Sequence, residues 1–504
     1  MSFFVNGNLF NEINFDKMNR ITIFRILVLF VLISCQKDDD TANEVSTVLI
    51  NHIEIQGTDI TSGVNAQMTA KVTPDNANDK TVSWKVSDAT VADISATGLI
   101  TAKKNGTITV TATANDKSAF TATKVINITS FTVTPVAHYE VSNVTELSAA
   151  ISKVKAGETI VLNGGTYAMT SKINITISGT SDKMITLKAK DGASRPKLDF
   201  SAMSEASSNQ GIVLSADYWH IKGIDVFKAG DNGMQVKGSN NIIEFMTFSE
   251  CADSGLQLDN GAANNTILNC DSYFNADSTL ENADGFACKL NAGTGNKFIG
   301  CRAWQNLDDG WDGYLRGADN ISTTYQNCWA VKNGYLKDGS KGAGDGNGFK
   351  TGGSDDKLLK HNAKYTNCIA VGNVADGFDH NSNRGEVTIF NCSAYDNGRN
   401  YSFSNSNPLA KLIIKNSNAL GAYGTTLATV VDITNNSWQN GITVTADDFT
   451  SIDYTQLLGA RKADGSLPDV TFFRLKADSD MINKGTDVGL PFNGTLPDLG
   501  AFEF

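Results

Sequence analysis

From about Val48 to Ile128 apolar and polar residues alternate with a period of two, as in Gln67-Met68-Thr69-Ala70-Lys71-Val72 and Gly106-Thr107-Ile108-Thr109-Val110-Thr111-Ala112. Successive side chains of a strand point to opposite faces, so this alternation marks half-buried strands. With turn-forming breaks between the runs, residues 47–130 are predicted to form a β-sandwich. Beyond about residue 140 the pattern changes. Short β-branched or aromatic pieces recur in a fixed frame: Cys270-Asp-Ser-Tyr-Phe-Asn275, Cys301-Arg-Ala-Trp-Gln-Asn306, Cys328-Trp-Ala-Val-Lys-Asn333, Cys368-Ile-Ala-Val-Gly-Asn373 and Cys392-Ser-Ala-Tyr-Asp-Asn397. Cys251 reads as the opening of a weaker copy. The cysteines of this frame, from Cys251 and leaving out Cys288, are 19, 31, 27, 40 and 24 residues apart. Units of this size, with insertions between copies, imply stacked coils. The pieces are of strand length, so residues 140–504 are predicted to form a right-handed parallel β-helix in an all-β protein.

Coils stacked about 4.8 Å apart align equivalent side chains into columns. Cysteine suits an interior column, and stacked asparagine can pass amide hydrogen bonds from coil to coil. Cysteines sharing one register all point the same way, which disfavours regular pairing, so free buried thiols are expected. Zinc is disfavoured too: no Cys-x-x-Cys occurs and the five histidines are scattered.

The 504 residues carry 42 basic and 54 acidic side chains, a net charge of −12, which argues against a nucleic-acid partner. A hydrophobic content of 41% supplies a core and excludes wholesale disorder. No apolar run reaches about 18–20 residues, so no membrane-spanning helix is expected. At the start, Lys17, Arg20 and Arg25 precede the apolar run Ile26 to Ile33, which ends Leu32-Ile33-Ser34-Cys35. Residues 1–35 therefore read as a secretory signal peptide, with Met18 as an alternative start. Leu-Ile-Ser-Cys resembles the bacterial lipobox, which implies lipidation at Cys35. Gln36-Lys37-Asp38-Asp39-Asp40, in the acidic linker 36–46, resembles the surface-export tag on lipoproteins of some glycan-degrading Gram-negative bacteria. The expectation is a secreted, monomeric lipoprotein on the outer membrane, exposed at the cell surface and touching the membrane only through its acyl chains. Val82-Ser83-Trp84-Lys85-Val86 followed by Gly98-Leu99-Ile100-Thr101-Ala102 resembles a bacterial Ig-like group 2 domain, for which a spacer role is expected.

Candidate chemistry concentrates in one region. It reads Glu281-Asn282-Ala283-Asp284-Gly285-Phe286, then Asp308-Asp309-Gly310-Trp311-Asp312, then Gly346-Asn347-Gly348-Phe349-Lys350-Thr351-Gly352-Gly353. Asp284 and Asp308 are 24 residues apart, about one coil, which makes them vertical neighbours on one face. Asp309 and Asp312 share the turn of Asp308. Four converging carboxylates repel one another unless a cation joins them, and an oxygen-rich cage favours Ca2+. Asp-Gly also ends strands through turn chemistry alone; Asp376-Gly377 and Asp253-Ser254-Gly255 are that plainer version.

These motifs resemble polysaccharide lyase family 9, the pectate-lyase-like parallel β-helices. The resemblance runs from about Val141 to Phe504 and includes Ala463-Asp464-Gly465-Ser466-Leu467-Pro468 and the ending Asp498-Leu499-Gly500-Ala501-Phe502-Glu503. It implies that Asp284, Asp308, Asp309 and Asp312 bind a catalytic Ca2+ and that Lys350 is the Brønsted base. The implied substrate is an acidic plant-type polysaccharide, pectin or polygalacturonate, cleaved by β-elimination; the rhamnogalacturonan backbone is the alternative. Such a lysine must shed its own proton. Desolvation and a nearby cation lower its pKa, whereas unscreened carboxylates raise it. Lys289, Arg316, Asn381 and Arg384 are candidate substrate contacts, and Trp304 and Trp311 candidate sugar platforms, although Trp304 fits a core position equally. The Gly- and Lys-rich insertion around Lys337 to Gly346 departs from the family pattern and is expected to reshape the subsites. A polygalacturonase-type hydrolase resembles a different pattern, with Gly-His-Gly and Arg-Ile-Lys. None of His52, His138, His220, His361 and His380 is flanked by glycines, and Arg-Ile-Lys is absent. A surface adhesin is the non-enzymatic alternative, since Ig-like plus β-helix is also an adhesin layout.

Overall fold

A computed structural model describes residues 47–61, 65–129 and 138–504. The expected signal peptide, Cys35 and the acidic linker lie outside the described residues. The chain divides into two compact units, one up to Thr134 and one from Pro135 onward. No helix among the described residues is long and apolar enough to cross a membrane.

Among the described residues of the first unit the strands pair antiparallel, with one isolated parallel bridge between Ile60 and Ile128. His52–Gln56 pairs with Thr69–Thr73, Gly106–Ala114 lies between Val82–Val86 and Thr121–Ile128, and Leu99–Ala102 lies between Asn65–Gln67 and Ala92–Ile94. The period-two alternation does what it must: in Gly106–Ala114 the buried positions are Ile108, Val110, Ala112 and Ala114. They join Ile53, Met68, Ile100 and Ile126 in one core. The result is three small antiparallel sheets around one core, an Ig-like arrangement.

The second unit opens with a short strand and helix α1 (Val144–Ile151), whose N-cap Asn143 accepts from the Glu146 amide at 3.0 Å. The chain then winds into a parallel β-helix. Each complete coil gives one strand to each of three parallel sheets, of 12, 10 and 10 strands, the first sheet gaining one more at either end of the helix. One coil shows the order: Asn296–Ile299 in the first sheet, Arg302–Trp304 in the second and Trp311–Asp312 in the third, before Ile321–Gln326 starts the next turn. The corner from first to second sheet needs one left-handed residue. Asn269, Asn327, Asn367, Asn391 and Asn416 supply it with φ between +51° and +57°, and Gly300 does so at +63°. Asparagine tolerates this region where most side chains do not.

The residue after that corner points inward. Cys270, Cys301, Cys328 and Cys368 form this column, each thiol lying 3.3–3.6 Å from a backbone carbonyl of the coil beneath. All seven described cysteines are free and buried. Cys251 departs from the expected frame. Met246 fills the cysteine register below Cys270, and the Met246 amide lies 3.4 Å from the Cys270 sulfur. Cys251 sits instead at the foot of the asparagine column, its amide donating to Asn275 Oδ1 at 3.0 Å. Above it Asn275, Asn306, Asn333, Asn373 and Asn397 pass Nδ2-to-Oδ1 hydrogen bonds of 2.7–3.0 Å up the stack. This ladder turns the chain from the second sheet into the third, where the candidate chemistry lies.

Candidate functional site

The third sheet is spaced by glycine. Gly255, Gly285, Gly310 and Gly348 each stand immediately before a third-sheet strand, and Gly377 lies at the start of the next. A Cβ on Gly285 would lie 2.7 Å from the Gly310 carbonyl oxygen, one on Gly310 2.5 Å from that of Gly348, and one on Gly348 2.7 Å from that of Gly377. A real Cβ does not sit that close to a carbonyl oxygen, so the coils approach this closely only because the side chain is missing.

The residue before each glycine then forms its own column: Asn232, Ser254, Asp284, Asp309, Asn347 and Asp376. Ser254 Oγ donates to Asp284 Oδ2 at 2.9 Å, and the Asp309 amide to Asp284 Oδ1 at 3.3 Å. Asn347 donates to Asp309 Oδ1 from both its amide and its Nδ2, at 2.8 and 2.9 Å. Asp284 and Asp309 are thus consecutive rungs, 1% and 0% exposed. Asp308, next to Asp309 in the turn, completes a group: one oxygen each from Asp284, Asp308 and Asp309 lies within 4.8 Å of the others, an arrangement that can hold a metal ion.

The electrostatics fit a cation. Burial, then the charge of Asp284, pushes the Asp308 carboxyl up to about 7 against the pull of Lys350. Burial followed by Asp308 drives Asp309 well up, and burial raises Asp284 despite Lys289. Three buried carboxylates side by side resist ionising together unless positive charge is placed among them. Asp309 Oδ2 is sealed from water with no hydrogen-bond donor aligned to it, while Lys350 Nζ stands 3.0 Å away. A hard divalent ion suits this all-oxygen set.

Asp312 stands apart from that group. It lies on strand Trp311–Asp312 and faces two ammonium groups, Lys289 Nζ at 3.4 Å and Lys350 Nζ at 3.8 Å. Burial opposes its ionisation, but Lys350 and Lys289 together hold its carboxyl below the usual range. Lys350, on Phe349–Lys350, is in register with Asp312 below and Asp379 above. Its Nζ also meets Asp345 Oδ2 at 2.9 Å. Burial alone would lower its pKa; Asp309, Asp312, Asp308 and Asp345 overcome that and hold it well above an ordinary lysine. Lys289 closes the other side at 2.8 Å from Asp284 Oδ2.

The other candidates scatter. Exposed Arg316 faces Asp355 at 3.5 Å, Asn381 packs against Gly352 and Gly353 beyond the Lys350 strand, and Arg384 is half-buried. Trp311 is no sugar platform. It is 1% exposed, stacked between Phe286 and Phe349 with centroids 5.1 and 4.7 Å away. Its alternation with outward Asp312 requires this. Trp304 lies on the second sheet, stacked on Tyr273 at 4.2 Å. Two participants escaped the sequence reading. Asn347 could have been found by extending the residue-before-glycine register, but Asp345 lies in the irregular insertion, where no repeat reports its position.

Comparison with known proteins agrees with this geometry. Residues 136–418 match the family described as the Pel9A-like, right-handed β-helix region, and residues 53–126 match the bacterial Ig-like domain (group 2). The chain is 39% identical over 377 residues to pectate lyase L of Dickeya dadantii (strain 3937), covering 71% of this chain and 85% of that one. Among solved structures, pectate lyase Pel9A is 38% identical with a TM-score of 0.65, covering 71% of this chain and 90% of that one. A rhamnogalacturonan lyase is 26% identical with a TM-score of 0.59, covering 66% and 92%.

Proposed function

Because this chain belongs to the Pel9A-like right-handed β-helix family, we propose that it is a calcium-dependent pectate lyase that cleaves polygalacturonate by β-elimination, with Lys350 as the base. The observation that carries the reading is the placement of one buried amine, Lys350 Nζ, 3.0 Å from a carboxylate of the metal-competent group and on the outward row of the same sheet.

In this reading Asp284, Asp308 and Asp309 hold Ca2+, with Asp312 beside them. The ion would supply the positive charge that receives a uronate carboxylate and makes the adjoining C5 proton more acidic. Lys350 Nζ takes that proton, the C4–O bond breaks, a C4=C5 double bond forms and the departing oxygen is protonated by water. The crowd of carboxylates that keeps Lys350 protonated is the reason neutralisation of the cage matters to the base. Asp345 and Asp309 fix the amine from two sides, so its direction is set before substrate arrives. Lys289 adds a fixed cation on the opposite flank of the groove.

Homogalacturonan is favoured over the rhamnogalacturonan backbone because the two relatives named pectate lyases share 38–39% identity, against 26% for the rhamnogalacturonan lyase. The lipid anchor at Cys35 belongs to the same proposal and would hold the enzyme at the outer surface, with the Ig-like unit as spacer. The test is ultraviolet detection of the 4,5-unsaturated uronide from polygalacturonate and from rhamnogalacturonan I, with and without chelator. Product from polygalacturonate that disappears on chelation and returns with added Ca2+ is expected. Reducing ends formed without the unsaturated product would mean hydrolysis, and undiminished activity in excess chelator would remove the metal.

A further inference from the structure

The outward row of the third sheet that carries Lys350 and Asp312 continues toward the N-terminus. Strand register runs Lys350, Asp312, Ala287, Gln257, Gln235, Val213, one residue per coil. Gln257 lies between Leu256 and Leu258, and Gln235 between Met234 and Val236. All four neighbours belong to the core, so alternation turns both glutamines toward the groove. Gln257 is nonetheless only 4% exposed. Among the described residues neither its side-chain amide nor that of Gln235 has a hydrogen-bond partner, and neither amide is sealed from water.

A side chain set this deeply is normally hydrogen-bonded within the protein, because burying an amide without a partner costs free energy. The sheet itself does not require the amides: buried Val213 and Ala287 fill the same row on either side of the two glutamines. The adjoining column, by contrast, is paired internally. Asn232 Nδ2 lies 3.2 Å from Asp231 Oδ2 and 3.4 Å from Asp253 Oδ2, and Ser254 Oγ donates to Asp284 at 2.9 Å. Gln257 and Gln235 are therefore polar groups in the groove floor whose hydrogen bonds are left for something that enters it. Each amide sets a donor beside an acceptor, and the next coil repeats the pair about 4.8 Å away. A sugar hydroxyl, which both donates and accepts, matches that pair; a carboxylate, which only accepts, uses half of it.

We propose that Gln257 and Gln235 form a substrate subsite that hydrogen-bonds the hydroxyls of sugar rings beyond the one that reacts. Gln257 stands three coils from Lys350 and Gln235 four, roughly 14 and 19 Å along the groove at about 4.8 Å per coil. Neither glutamine touches the scissile bond, so the subsite contributes the same affinity before and during the reaction. The identity of the ligand, a uronate-containing glycan, rests on the lyase reading.

The test is the initial rate of unsaturated-uronide release from polygalacturonate and from size-defined oligogalacturonides, for the wild type, Gln257→Leu and Gln235→Leu. Circular dichroism confirms the fold of each variant; leucine is close to glutamine in size, and the row already accepts apolar residues. Gln257→Leu is expected to raise KM for polygalacturonate by roughly three- to tenfold, the worth of a neutral hydrogen bond or two. Turnover should stay within about twofold, since binding shared by ground and transition states moves KM alone. Gln235→Leu should act in the same direction. The shortest oligogalacturonide that the wild type cleaves should keep its KM in both variants, because it does not reach from Lys350 to the glutamines. A KM for polygalacturonate that is the same in the wild type and Gln257→Leu, with unsaturated product formed by both, overturns the subsite and leaves the lyase reading standing. An equal change on the shortest substrate, or a fall in turnover without a rise in KM, assigns the glutamine to structure and also overturns it. A wild type that forms no unsaturated product removes the lyase reading, and the subsite with it.

Discussion

Lys350 and Asp309 stand 3.0 Å apart with almost no water between or around them, so the charge of each is set by the other and by whatever cation joins them. Asp309→Asn keeps the shape and the neighbouring amide contacts but removes that charge. It is expected to lower Ca2+ affinity at the catalytic group and turnover at least tenfold with the melting temperature little changed, checked by titration and by initial rates across Ca2+ concentration. These residues were legible because they ride on a repeated register: the glycine fixes the turn, and the residue before it and the second residue after it face the groove. Trp311 was misread because a tryptophan in an acidic motif suggests a sugar face. Its neighbour Asp312 already pointed outward, and alternation sends Trp311 inward. Asp345 was illegible because an insertion has no register to report where its side chains point.

The columns are what hold each element in place. Asn306 accepts from Asn275 Nδ2 at 2.8 Å, and its own Nδ2 donates to Asn333 Oδ1 at 3.0 Å and the Ser272 carbonyl at 3.1 Å, all at 0% exposure. Asn306→Ala leaves several of these buried groups unpaired, at about 1–3 kcal/mol each. A clear drop in urea midpoint is expected; an unchanged one would mean that the ladder is ornamental to stability. Gly310→Ala is a sharper probe of the third sheet. Its Cβ would meet Gly348 O at 2.5 Å and Asn333 Nδ2 at 2.7 Å, so the coils must part above Asp309. Loss of activity well beyond the loss of folded protein is expected, read as specific activity of the soluble fraction. The cysteine and asparagine columns could be seen in the sequence from a five-residue spacing. Cys251 could not be placed by that spacing, because one cysteine without its asparagine partner fits either column, and only the stacking shows which.

At the scale of the whole molecule, the chain after the last coil folds back over the second sheet and is clamped by charge. Asp271 on that sheet receives both Arg302 and Arg461, each with a closest N–O distance of 2.7 Å, and Arg461 belongs to the returning segment. Burial opposes ionisation of Asp271, but Arg302 and Arg461 outweigh it and hold its carboxyl below the usual range. A depressed folded pKa stabilises above the unfolded value of about 3.9, and that stability is lost as pH falls through the folded value. Wild type should therefore loosen its C-terminal segment below about pH 4. Asp271→Asn should be less stable than wild type at pH 7, with the difference shrinking in acid, as followed by limited proteolysis. This clamp was hidden in the sequence, because Asp271 and Arg461 are joined only once the coils exist.

The proposed elimination turns on Lys350. Lys350→Ala, incubated with polygalacturonate and Ca2+, is expected to form no unsaturated uronide while still binding substrate. Unsaturated product forming at the wild-type rate would contradict it.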